Sequence, residues 1–228
     1  MEPIDFVSVG PGNVDNVTLG CFRALCEADD IYVFSTQGIS RAEQIILKLK
    51  KSLKKKIHVV EIPMKTDRAE VNQVYDRLAR TLKGLSDEKR KVAVATEGDS
   101  GIFATTHYVQ ERLVTLQVPV RQHAGIPSFI ASGAVGRLHL IKQQERLLIV
   151  PGKITMEEMS VLIEGGTNLI IMKLSMAKDL ILDCMEKYAD WHFHYFSSVG
   201  TDEEFYTDDK KEIRKQPFPY FSLMYISK

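Results

Sequence analysis

Short apolar runs alternate with amphipathic helical stretches along most of the chain, and this alternation restricts the fold more than any other feature. The runs at 4–9, 31–35, 57–62, 91–96 and 118–122 have the length and composition of strands buried on both faces. Helix-period patterns lie between them. Leu19, Phe22, Leu25 and Cys26 share one face over 18–29. Ile45, Ile46, Leu49 and Leu53 share another over 39–53, which a Ser40–Glu43 capping box opens. Val71, Val74, Tyr75, Leu78, Leu82 and Leu85 form a third stripe over 70–85. Consecutive strands joined through single helices must cross over and run parallel.

The second half keeps the alternation but changes its character. Strands are expected at 146–151, 168–174, 192–199 and 219–227, with helices at 155–164, opened by a Thr155–Glu158 capping box, and at 176–190. The last strands mix polar and apolar positions, which implies mixed strand directions. The reading is an α/β protein of two α/β domains, 1–117 with a mostly parallel sheet and 118–228 with a mixed one. A ligand cleft is expected between them.

Composition narrows the function by exclusion. Thirty basic and thirty acidic residues cancel, so no global field draws the chain to nucleic acid or to a membrane surface. The lysine-rich stretch 48–56 reads as the wet face of a helix, and no aromatic stacking platform accompanies it. Neither a nucleic acid nor a membrane is expected as a partner. Cys21, Cys26 and Cys184 form no CxxC pair and are odd in number, which argues for reduced thiols. With no basic-then-apolar leader and no apolar run of membrane length, the expected compartment is the cytoplasm. His192 and His194 fall on one face of a strand but lack further ligands at useful spacing, so no metal site is expected.

Three loops follow predicted strands: Gly10-Pro11-Gly12, 96–103 and 123–129. A dinucleotide fingerprint would need a third glycine where Asp15 stands, and Pro11 has no N–H for a phosphate. No Gly-Lys-Ser/Thr follows, so a P-loop is excluded as well. In open α/β sheets ligands bind beyond the carboxyl ends of the strands, and small residues there let backbone approach them.

The wording of these loops resembles the tetrapyrrole (corrin/porphyrin) methylase family: VGPGNVDNVTLGCFRAL at 9–25 and EGDSGIFATT at 97–106. Within it, GISRAEQI (38–45), IPMKTDRAE (62–70), GIPSFIASGAVGRL (125–138), QERLLIVPG (144–152) and PYFSLMYI (219–226) are most similar to members that methylate carbon 20 of precorrin-2 or cobalt-factor II. The resemblance implies an S-adenosylmethionine-dependent C-methyltransferase of cobalamin biosynthesis, acting on a tetrapyrrole as a homodimer. A sibling acting at another ring carbon, or a relative that binds without turnover, stays open.

By that resemblance the cofactor contacts fall on Pro11, Gly98, Asp99, Ile102, Ser128, Phe129 and Met172. Asp99 is the candidate base; its alternative role is to accept loop N–H bonds or to cap a helix over 101–116. Arg41, Lys65, Arg68 and Lys173 are the candidate cations for the substrate's carboxylates. Three loop positions depart from the family: Asn13-Val14 replaces Asp-Pro, Ser100 replaces a proline, and Ala124 replaces a proline.

Overall fold

The computed structural model describes residues 1–63 and 68–228, the side chain of Arg68 excepted. The chain divides into two compact units, Met1–Pro127 and Ser128–Lys228. The boundary lies after Pro127 rather than between 117 and 118, because the strand that follows 118 pairs into the first sheet.

That sheet has five strands: β1 (Ile4–Ser8), β2 (Asp30–Ser35), β3 (Ile57–Glu61), β4 (Val92–Thr96) and β5 (Val120–His123). Their order is β3-β2-β4-β1-β5, and every pairing is parallel. Side-chain alternation sends Val7, Val9, Ile31, Val33, Ala93 and Ala95 to one face, under α1 (Leu19–Glu27) and α2 (Arg41–Leu49). Ile4, Phe6, Val92 and Val94 go to the other, under α3 (Arg68–Asp87) and α4 (His107–Thr115).

Two helices differ from expectation. In α1 the inward face is Cys21, Ala24 and Leu25, while Leu19 is 71% exposed; Thr18 caps the helix and sets Leu19 in its first turn, facing out. In α2 the helix ends at Leu49, and a tight helical turn over Lys51–Lys56 buries Leu53. Lys50, just before this turn, donates to the Cys26 thiol, and within it Lys56 turns back to the carbonyls of Cys26 and Ala28 and Lys54 to Glu43. Glu43 is thereby drawn off the capping box, leaving Ser40 to cap the helix alone.

The second unit is built on β6 (Arg146–Val150), β7 (Thr167–Met172), β8 (His192–Ser197), β9 (Phe205–Thr207) and β10 (Ser222–Ser227), in the order β6-β7-β10-β8-β9. Only β6 and β7 pair in parallel. The last strand enters the middle of the sheet, antiparallel to both β7 and β8. One face packs Leu169, Ile171, Phe193, Tyr195, Met224 and Ile226 beneath α6 (Met156–Glu164), α7 (Lys178–Lys187) and α8 (Lys210–Ile213). Both halves of the Thr155–Glu158 capping box form at the start of α6.

The opposite face carries an aromatic row, with His194 stacked between Tyr206 and Tyr225. His194 Nδ1 lies 3.1 Å from the Tyr206 hydroxyl, so the buried histidine already has a partner inside the sheet. Burial pushes the Cys184 thiol up to about 11, which marks it as unreactive. Among the described residues no helix is long and apolar enough to cross a membrane.

Candidate functional site

Parallel pairing puts the carboxyl ends of β4, β1 and β5 side by side at one edge of the first sheet. The three glycine-containing loops leave from those three neighbouring strands. Gly10 and Gly98 form an antiparallel bridge, with Gly98 N donating to Gly10 O at 2.8 Å and Gly10 N to Gly98 O at 3.1 Å. Both have a left-handed backbone, φ 71° and 72°, which an L side chain rarely adopts.

Ser8, at the end of β1 and fully buried, ties the second loop to the third. Its hydroxyl donates to His123 O at 2.8 Å and accepts from Ser100 N at 2.9 Å. Asp99 adds a second tie: Oδ1 accepts from Gly101 N at 2.8 Å and Oδ2 from Gly125 N at 2.6 Å. Gly125 fits because it has no side chain; a Cβ there would lie 2.3 Å from Ser8 Cβ and 2.9 Å from Gly98 O.

The sequence departures acquire partners in this network. Ser100 contributes an N–H that proline lacks, and the bond to buried Ser8 uses it. The Asn13 side chain accepts from Asp15 N at 3.0 Å, an Asx turn that holds the first loop. The Ala124 carbonyl accepts from Thr18 Oγ1 at 3.2 Å.

Pro11 is buried, and Gly98, Asp99 and half-buried Ile102 lie together on the second loop, with Ile102 N donating to Asp99 O at 3.1 Å. The helix that follows starts at His107, so Asp99 caps no helix over 101–116; its oxygens are taken by Gly101 and Gly125 instead. Ser128 and Phe129 open α5 (Ser128–Val135) in the second unit, and Met172 ends β7. Lys173 follows in a left-handed conformation, φ 60°, with its ammonium 5.4 Å from the centroid of the Tyr220 ring. Arg68 is the first residue of α3, and Lys65 lies outside the described residues.

Arg41, the first residue of α2, sits at the carboxyl edge beside β4 and pairs through Nε with Glu97 Oε1 at 3.0 Å. Burial pushes the Glu97 carboxyl up to about 7, against the pull of Arg41. Sequence reasoning missed Glu97, Ser8 and Gly125 as site residues. The signal for Ser8 was available as a lone hydroxyl within an apolar strand, whereas the Arg41–Glu97 pair depends on β2 and β4 being neighbours.

Comparison with known proteins agrees with this architecture. Residues 4–213 match the family described as Tetrapyrrole (Corrin/Porphyrin) Methylases. The chain is 21% identical to the cobalt-precorrin-2 C(20)-methyltransferase of Salmonella typhimurium, over 97% of this chain and 94% of that one. It is 31% identical to the probable cobalt-precorrin-2 C(20)-methyltransferase of Methanocaldococcus jannaschii, over 73% and 70% respectively. Its fold is similar to that of a cobalamin biosynthetic enzyme, cobalt precorrin-4 methyltransferase, with a TM-score of 0.73 at 13% identity over 99% and 94% of the two chains. It is also similar to uroporphyrin-III C-methyltransferase of Thermus thermophilus, solved with S-adenosyl homocysteine, with a TM-score of 0.63 at 18% identity over 99% and 97%. A loop network at the edge of a parallel sheet, a match spanning both units and relatives aligned across 97% and 73% of the chain converge on one conclusion: the chain belongs to the tetrapyrrole methylase family of methyltransferases.

Proposed function

We propose that this protein transfers a methyl group from S-adenosylmethionine to carbon 20 of precorrin-2 or cobalt-factor II, in cobalamin biosynthesis. The observation that carries the reading is the placement of three tied loops on neighbouring strands, in a member of this family. The ring carbon is supported by the name shared by the two relatives.

The residues present suit such a donor. The three loops carry no lysine or arginine that would repel a ligand bearing a sulfonium cation. Gly98 has open space where a Cβ would stand, so a ligand can come close to its Cα at the sheet edge. By the family resemblance, Pro11, Gly98, Asp99, Ile102, Ser128, Phe129 and Met172 are the residues that would hold it. S-adenosylmethionine supplies the methyl group and departs as a neutral thioether. The protein's share is orientation and exclusion of water, effects able to supply up to roughly 7–11 kcal/mol of the barrier. Asp99 serves that orientation by fixing the second and third loops. Arg41, Lys65, Arg68 and Lys173 receive the carboxylates of the tetrapyrrole. The protein works in the cytoplasm, which cell fractionation tests, and as a homodimer, which sedimentation of the purified chain tests.

The deciding experiment is mass spectrometry of precorrin-2, with and without cobalt, after incubation with S-adenosylmethionine. One added methyl group at carbon 20 supports the reading, and the preferred ring assigns the substrate. A methyl group at another carbon replaces it with a sibling activity. No methylation while S-adenosylhomocysteine still binds replaces it with a binding role.

A further inference from the structure

The three loops offer three titratable side chains: Glu97, Asp99 and His123. Two are engaged within the fold. Both oxygens of Asp99 accept backbone N–H bonds, and His123 Nε2 lies 3.0 Å from Asp5 Oδ1. Glu97 differs. Among the described residues its carboxylate pairs with a side chain, Arg41 at 3.0 Å, and its own side chain keeps 24% exposure at the carboxyl end of β4. It is therefore the loop carboxylate that can turn to a ligand without unravelling the loops.

We propose that Glu97 removes the proton released when the ring carbon is methylated, with Arg41 as its positioning residue. The assignment rests on the methyltransferase reading above. In the step, an electron pair of the ring carbon forms the new carbon–carbon bond as the carbon–sulfur bond of the donor breaks and its pair stays on sulfur. The hydrogen on that ring carbon then leaves as a proton to the Glu97 carboxylate, and its bonding pair restores the ring double bond. A carboxyl that titrates at about 7, under the influence of the Arg41 guanidinium, both takes and releases a proton near neutral pH. Arg41 opens α2, which packs on the Ala93 and Ala95 face of β4, and from there it reaches Glu97 just past the end of that strand.

The test compares wild type with Glu97→Gln, Glu97→Asp and Arg41→Met in the full chain, using S-adenosylmethionine with precorrin-2 and with cobalt-factor II. Glu97→Gln should lower kcat about 10²–10⁴-fold, and Glu97→Asp should recover part of the rate. S-adenosylhomocysteine affinity, read by calorimetry, should stay within about twofold in Glu97→Gln, since the carboxylate is not assigned to the donor. In protein labelled with ¹³C at the glutamate carboxyls and free of substrate, the resonance missing from Glu97→Gln should titrate with the acidic limb of the wild-type kcat profile. That titration should move to higher pH in Arg41→Met. Wild-type kcat in Glu97→Gln, or a Glu97 titration that does not track the acidic limb, overturns the assignment alone. A wild-type protein that methylates neither ring overturns the functional reading and the assignment with it.

Discussion

Adding one methyl group at Gly125 should unmake the loop network. The Cβ of Gly125→Ala would stand 2.3 Å from Ser8 Cβ, where ordinary contact begins at 3.4 Å, so something must move by about an ångström. Ser8 cannot easily give way: it is fully buried at the end of β1, the strand paired with both β4 and β5. Gly125 must shift instead, and a displacement of that size breaks its 2.6 Å bond to the Asp99 carboxylate. Overpacking costs about 1–3 kcal/mol, and a hydrogen bond to a charged group contributes about 1.5–3 kcal/mol. The sum is roughly 2.5–6 kcal/mol, and at about 2–4 °C per kcal/mol for a chain of this size Tm should fall by roughly 5–24 °C. Calorimetry should show weaker binding of S-adenosylhomocysteine in the same variant. Gly84→Ala is the control, because Gly84 lies inside α3 with nothing within 4 Å of its missing Cβ. There the same chemical change should stabilise by up to about 1 kcal/mol through helix propensity. A Gly125→Ala protein with unchanged Tm and unchanged ligand affinity would refute the view that this close approach ties the loops.

Ser8→Ala should cost about 1–3 kcal/mol, because it leaves the buried Ser100 N–H without its acceptor; urea unfolding measures it, and a loss below a few tenths would refute the role. Asp30 pairs with His58 at 2.8 Å and Arg90 at 2.6 Å; burial raises its pKa, but these partners outweigh that and hold it below the ordinary 3.8. Its stabilisation is therefore present above pH 3.8 and lost as pH falls through the lowered folded value, so the stability gap between wild type and Asp30→Asn should close in acid. Glu97 has the opposite sign. Its folded pKa of about 7 exceeds the ordinary 4.5, so its contribution is greatest below 4.5 and is lost as pH rises through 7. Glu97→Gln should accordingly gain stability relative to wild type across that window, by at most about 3 kcal/mol and, with partial exposure, roughly 1–2 kcal/mol; a flat difference between pH 4 and 8 in chemical denaturation would contradict it.

The period of the hydrophobic residues was enough to find most of the elements. Nine of the strands lie within two or three residues of where alternation placed them, since a buried strand leaves a dense apolar run. The three-residue strand β9 stayed hidden in the acidic stretch at 202–209, because its pairing with β8, rather than any local pattern, makes it a strand. The helix α5 also escaped, since its apolar and small residues show little periodicity. The unit boundary was placed too early because a strand's allegiance is set by its partner, and β5 pairs with β1 more than a hundred residues away.

By itself, then, the sequence determined that this is an α/β chain with parallel crossovers in its first half, three small-residue loops after strands, and motif wording similar to one methylase family. Those properties are local, written in spacing and residue type. Tertiary structure alone decided that the three loops leave adjacent strands, that Ser8 and Asp99 lock them, and that Arg41 meets Glu97. Strand order is not carried by any single segment. It follows from which pairings bury both faces of the sheet at once, and so the residues it brings together can be recognised only after the chain has folded.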